Sequence, residues 1–113
     1  MEEASLAERT CVPCRKGALP LSAQAMALFL QQVKGWELLE AKALRKKLTA
    51  KNFLEAVDWI QKIAPIAESE DHHPDIHLTG YKHLTIELST HAIGGLSEND
   101  FILAAKIDKL LNG

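Results

Sequence analysis

The sequence has only two cysteines in 113 residues, Cys11 and Cys14. Two thiols cannot complete a tetrahedral zinc site, and there is no second pair to help. Their Cys-Val-Pro-Cys run leads into Arg-Lys-Gly and Pro20, which reads as a loop. A redox motif would follow a strand and open a helix, so the pair is expected to be incidental. Charge of one sign is equally scarce: 13 basic against 15 acidic residues gives a formal net charge of −2. That leaves no global field to hold nucleic acid phosphates. The densest basic run, Arg45-Lys46-Lys47, is expected on the solvent face of a strand. No apolar stretch approaches the roughly 18 residues of a membrane span, and the acidic N-terminus has no signal-peptide core. A cytoplasmic protein is therefore expected. Internal repeats, low-complexity stretches and a helical His-Glu-x-x-His frame are also missing.

With 47% hydrophobic and 25% charged residues, the composition is that of a folded chain. The length fits one domain, and a chain of this size buries only about 60–70% of its extended surface, so self-association would help it. Residues 1–20, punctuated by Pro13, Gly17 and Pro20, read as a flexible N-terminal arm, and residues 21–113 as a single domain. Ser22 predicts a helix cap, with Met26, Phe29, Leu30 and Val33 at helical spacing and Gly35 as the stop. Trp36–Leu39 and Ala43–Leu48 read as two short strands. Thr49 can cap a second helix reaching about Glu68. It carries one apolar stripe of Phe53, Val57, Ile60 and Ala64 and another of Trp59, Ile63 and Ile66, wide enough to serve a subunit contact as well as a core. Pro65 should kink or shorten its last turn. Asp75–Thr79 alternates as a strand, and Gly80 marks a turn. In the next strand Leu84, Ile86 and Leu88 oppose His83, Thr85, Glu87, Ser89 and His91. Past Gly94-Gly95, Ser97 caps a last helix with Leu103, Ala104, Ile107, Leu110 and Leu111 buried. The expected fold is α+β, in the order α-β-β-α-β-β-α, an antiparallel four-stranded sheet with three helices packed on one face.

One cluster carries chemistry. Glu68-Ser-Glu-Asp71-His72-His73-Pro74 is followed by Tyr81, His91 and Asp100. Imidazole exchanges protons near neutral pH, so such a cluster points to acid–base work or to a metal. Pro74 prevents one helix from presenting His73 and His77 together, and metal-free chemistry needs only a donating imidazole, an accepting one and carboxylates to orient them. The expectation is no metal. Each member also has a plain reading. Asp100, three residues after Ser97, can serve a capping box; Pro74 can direct the chain; His77 and His83 occupy polar strand positions and are set aside as surface residues.

The run Glu68-x-x-x-His72-His73-Pro74, then Tyr81, His91 and Asp100, resembles the signature of the pterin-4a-carbinolamine dehydratase family, and the resemblance spans about residues 22–112. It implies a hydro-lyase that dehydrates 4a-hydroxytetrahydropterin to quinonoid dihydropterin during tetrahydropterin recycling. By this resemblance His72, His73 and His91 are the catalytic residues. Asp71, His72, His73, Ser89, Thr90, His91 and Ala92 are implied to bind the pterin substrate, with Glu68, Pro74, Tyr81 and Asp100 in support. It implies no cofactor, since the pterin is the substrate. It also implies a homodimer or homotetramer through the helix at 50–68, a link to an aromatic amino acid hydroxylase, and no nucleic acid or membrane partner. The alternative is a non-catalytic dimerisation or assembly cofactor of the same fold; the intact His72, His73 and His91 set favours the enzyme.

Overall fold

The computed structural model describes residues 6–11 and 20–112, the side chains of His91 and Asn112 excepted. Cys14, Pro13 and Gly17 lie outside the described residues. The elements are α1 (Ala23–Leu30), β1 (Trp36–Leu39), β2 (Ala43–Thr49), α2 (Phe53–Glu70), β3 (Asp75–Thr79), β4 (His83–Leu88) and α3 (Glu98–Asn112). The order matches the expected α-β-β-α-β-β-α. The sheet is antiparallel throughout, with strands in the order β1-β2-β4-β3.

Strand alternation decides which face is buried. Leu44 pairs with Leu88 and Lys46 with Ile86, Leu48 with Leu84, and Leu78 with Leu84 from the other side. These even-numbered positions face the helices, where Leu84, Ile86 and Leu88 meet Ile63 of α2 and Phe101, Leu103 and Ile107 of α3. Phe29 of α1 closes one end, its ring tilted against Phe101 at 5.4 Å.

Four local expectations are corrected. First, α1 ends at Leu30, before Gly35; Val33 is buried from the turn that follows. Second, α2 is capped by Asn52, whose side chain accepts the Glu55 N–H at 2.9 Å, and not by Thr49, which is the last residue of β2. Third, Pro65 does not end α2, which runs on to Glu70. The carbonyl that Pro65 cannot serve is that of the exposed Gln61, where water can take the missing bond. Fourth, Lys46 is only 7% exposed, not on the solvent face. Its ammonium donates to Asp108 Oδ1 at 2.7 Å and to the Lys34 carbonyl at 2.8 Å. Trp36 Nε1–H donates to the same Asp108 oxygen at 2.8 Å, so the buried ammonium is matched by a paired carboxylate that is itself hydrogen-bonded.

The stretch expected to be a loose arm also contributes to the core. Leu6, in a short 3-10 helix (Leu6–Glu8), is 2% exposed against α3. Lys106 Nζ donates to the Ala7 carbonyl at 2.9 Å, Arg9 pairs with Glu98, and Cys11 N–H donates to Glu70 Oε1 at 2.7 Å. Residues 6–11 thus strap the start of α3 to the end of α2. Burial, and then the Glu70 carboxylate, push the Cys11 thiol up to about 12, so it stays protonated and unreactive near neutral pH.

Candidate active site

The site grows from the end of α2. Asp71 takes the left-handed conformation (φ 51, ψ 41) as its C-cap. The Asp71 N–H bonds back to the Glu68 carbonyl at 3.2 Å and the His72 N–H to the Ala67 carbonyl at 3.1 Å. This is a Schellman closure with aspartate where glycine is usual, a position that Asp tolerates better than most residues. It turns the chain sharply, so that His72 points inward while His73 stays exposed. Pro74 then commits the chain to β3, since the residue before a proline is held extended.

The other half comes from β4 and the start of α3. The alternation expected to carry the strand to His91 stops at Leu88. Thr90 instead makes an isolated bridge with Gly95, its N–H donating to the Gly95 carbonyl at 2.9 Å. A 3-10 turn (His91–Ile93) fills the loop between them, and Gly94 supplies the positive φ of 66° that closes it. The loop returns the chain to Ser97, from which α3 starts.

Asp100 joins the two halves. It is 0% exposed. Its Oδ2 accepts the Ser97 N–H at 2.9 Å, the acidic half of a capping box, and also the Thr90 hydroxyl at 2.7 Å. Its Oδ1 lies 2.6 Å from His72 Nε2. Thr90 Oγ1 lies 2.8 Å from Ser97 Oγ in turn. Among the described residues no buried side-chain nitrogen or oxygen lacks a partner, so this polar cluster is fully satisfied.

Of the residues singled out from sequence, His72, Thr90 and Asp100 come into direct contact. Asp71 shapes the entry of His72 from the exposed helix end. Ser89 is half-buried beside Thr90, and together they line a hollow of about 300 Å³ with Gly94, Gly95, Lys42 and Ala43. His91 and Ala92 sit in the adjoining 3-10 turn, with the His91 side chain outside the described residues. His73 and Glu68 form their own pair at 2.6 Å, outside the buried cluster. Tyr81 is not brought to this group within one chain. It is 59% exposed in the β3–β4 turn, at the far end of β4, which spans about 20 Å at strand rise. His77 and His83 lie on the polar face of the sheet, His77 at 3.9 Å from Glu87. Ser97, read only as a helix cap, is the member missed; its hydroxyl meets Thr90 across a loop, which sequence spacing does not reveal. Among the described residues no group of three or more His, Cys, Asp or Glu side chains is arranged to hold a metal ion, and no helix is long and apolar enough to cross a membrane.

The comparisons agree with this architecture. Residues 19–110 match the family model described as pterin 4 alpha carbinolamine dehydratase. The chain is 47% identical over 111 residues to the mitochondrial pterin-4-alpha-carbinolamine dehydratase 2 of Arabidopsis thaliana, covering 95% of this chain and 59% of that protein. A Halorhodospira halophila relative is 44% identical over 107 residues, covering 94% of this chain and 97% of its own. Among solved structures, a transcriptional coactivator/pterin dehydratase from Brucella melitensis superposes with a TM-score of 0.74 at 27% identity, over 80% of this chain and 97% of that one. The chain spans well under two thirds of the plant relative but nearly all of the second. By sequence along most of its length, and by the sheet and helices that carry His72 and Asp100, the chain belongs to the pterin 4 alpha carbinolamine dehydratase family.

Proposed function

We propose that the chain is a hydro-lyase that removes water from 4a-hydroxytetrahydropterin, giving quinonoid dihydropterin. The reaction delivers a proton to the departing hydroxyl and takes one from the neighbouring ring nitrogen. Two imidazoles on either side of the ring can do both jobs, and His72 and His91 are the pair proposed here, with His73 orienting the substrate. Backbone groups of Ser89, Thr90 and His91, with Asp71 and Ala92 nearby, would take the amide-like edge of the pterin. Glu68, Pro74 and Asp100 hold the histidines in place. No cofactor or metal is needed.

The observation that carries this reading is the contact between His72 Nε2 and the fully buried Asp100 carboxylate at 2.6 Å. A buried carboxylate fixes the orientation of an imidazole, which a proton-transfer group needs and a simple docking surface does not. For that reason the non-catalytic cofactor reading is not favoured. Exposed Phe53 and Leu54, 52% and 78% accessible on α2, support self-association through that helix. A cytoplasmic location and an aromatic amino acid hydroxylase as the upstream source of substrate complete the proposal.

The test is a dehydration assay with 4a-hydroxytetrahydropterin. The native protein should accelerate the reaction, and His72→Ala and His91→Ala should each lower the rate by about a hundredfold or more. Native rates in both folded variants would overturn the assignment.

A further inference from the structure

The bonds around Asp100 have directions that follow from valence. A carboxylate only accepts, so each of its three contacts must be a donor. The backbone N–H of Ser97 is one. The Thr90 hydroxyl is the second, and its single proton is thereby spent on Asp100 Oδ2 at 2.7 Å. Thr90 Oγ1 can then only accept from Ser97 Oγ, 2.8 Å away, so the Ser97 hydroxyl points its proton at Thr90. The third contact is His72 Nε2 at 2.6 Å from Oδ1, and it must carry a hydrogen. A neutral imidazole has one N–H, so its lone pair is left on Nδ1.

We propose that Ser97 and Thr90 are positioning residues of the site: through Asp100 they hold His72 with its proton on Nε2, making Nδ1 the nitrogen that exchanges a proton with the substrate. In the forward direction Nδ1 accepts or, when the ring is charged, gives up the proton, while Nε2–H stays on Asp100. The relay runs from Ser97 Oγ–H to Thr90 Oγ1–H to Asp100 and ends on the ring. Thr90 is 6% and Asp100 0% exposed, so water is a poor substitute for either partner. Without the Thr90 or Ser97 hydroxyl, the carboxylate gains freedom to rotate, and the ring with it. This rests on the dehydratase reading for its catalytic meaning, but the tautomer does not.

The experiment pairs ring-nitrogen NMR of His72 with steady-state kinetics on 4a-hydroxytetrahydropterin, using the full chain as native, Thr90→Val, Ser97→Ala and Thr90→Ser. In the native protein the neutral His72 ring should show its proton on Nε2. Thr90→Val and Ser97→Ala leave Asp100 as an acceptor and so keep the proton on Nε2. The less firmly held ring should nevertheless show a shifted and broadened Nε2 signal and a kcat lowered by about tenfold, with KM unchanged. Thr90→Ser, which keeps the hydroxyl, should recover most of the lost rate. A native ring protonated at Nδ1, or Thr90→Val and Ser97→Ala with native kcat, would overturn the proposal. Should Thr90→Val fail to fold, Ser97→Ala decides alone, because the Ser97 side chain is only half-buried and its removal leaves the backbone cap intact. A native protein with the Nε2–H tautomer and no dehydration of the pterin would strike the proposed activity and leave the ring assignment standing.

Discussion

Two histidine–carboxylate pairs stand side by side at the end of α2, and both measure 2.6 Å. His72 is 12% exposed on a carboxylate that is 0% exposed. His73 is 55% exposed on Glu68 that is 78% exposed. Equal distances hide unequal physics. Water competes for every bond of the outer pair and screens it, so its net worth is small. The inner pair has no such competitor, and Asp100 would be left with a costly desolvated charge if its donors were lost. The lesson is that adjacency in sequence, His72 next to His73, assigns neither residue its role; the left-handed turn at Asp71 does, by sending one ring inward and leaving the other outside.

Substitutions can widen or erase that contrast. The largest effect is expected for Asp100→Ala, which strands the Ser97 N–H and His72 Nε2 and leaves the Thr90 hydroxyl only Ser97 Oγ as a partner. It should cost about 3–5 kcal/mol in urea unfolding and lower the dehydration rate at least as far as His72→Ala does. A loss below about 1 kcal/mol would mean the inner pair is no stronger than the outer one. Lys46→Met tests whether burial alone sets the scale. It breaks a second buried pair that shares no residue with the site, so about 2–4 kcal/mol of stability should be lost while the turnover of the remaining folded protein stays native. Here Asp108 keeps its bonds from Trp36 Nε1 and Lys34 N–H, which moderates the loss. The smallest effect belongs to Glu68→Gln. It should change stability by less than about 1 kcal/mol, and a shift as large as that of Asp100→Ala would erase the distinction between the pairs.

Much of this was legible in the chain because local rules and the fold agree. The alternation of Leu84, Ile86 and Leu88 identifies β4 and its buried face, and the three-residue step from Ser97 to Asp100 points to a capping box, of which the structure contains the acidic half. The failures share a cause: a partner distant in sequence overrides the local signal. Lys46 reads as a surface residue until Asp108, 62 positions later, neutralises it. Leu6 reads as part of a loose arm until α3 covers it. Thr90 gave no sign that its hydroxyl would serve Asp100, because the 3-10 turn that brings the two together is stabilised by a bridge to Gly95 and not by any periodic pattern. Thr49 and Asn52 are both good caps, and only the strand's claim on Thr49 decides between them.

The strap formed by residues 6–11 has a practical consequence for anyone handling this protein. The matched family span begins at residue 19, which invites trimming the chain there. Such a fragment would discard Leu6, uncover the side of α3 that it packs on, and leave Lys106 and Glu70 without their partners at Ala7 and Cys11. The family-model span and the packed unit do not share a border here, whereas the alignment to the plant relative covers 95% of this chain and reaches into the strap, so expression boundaries should keep it.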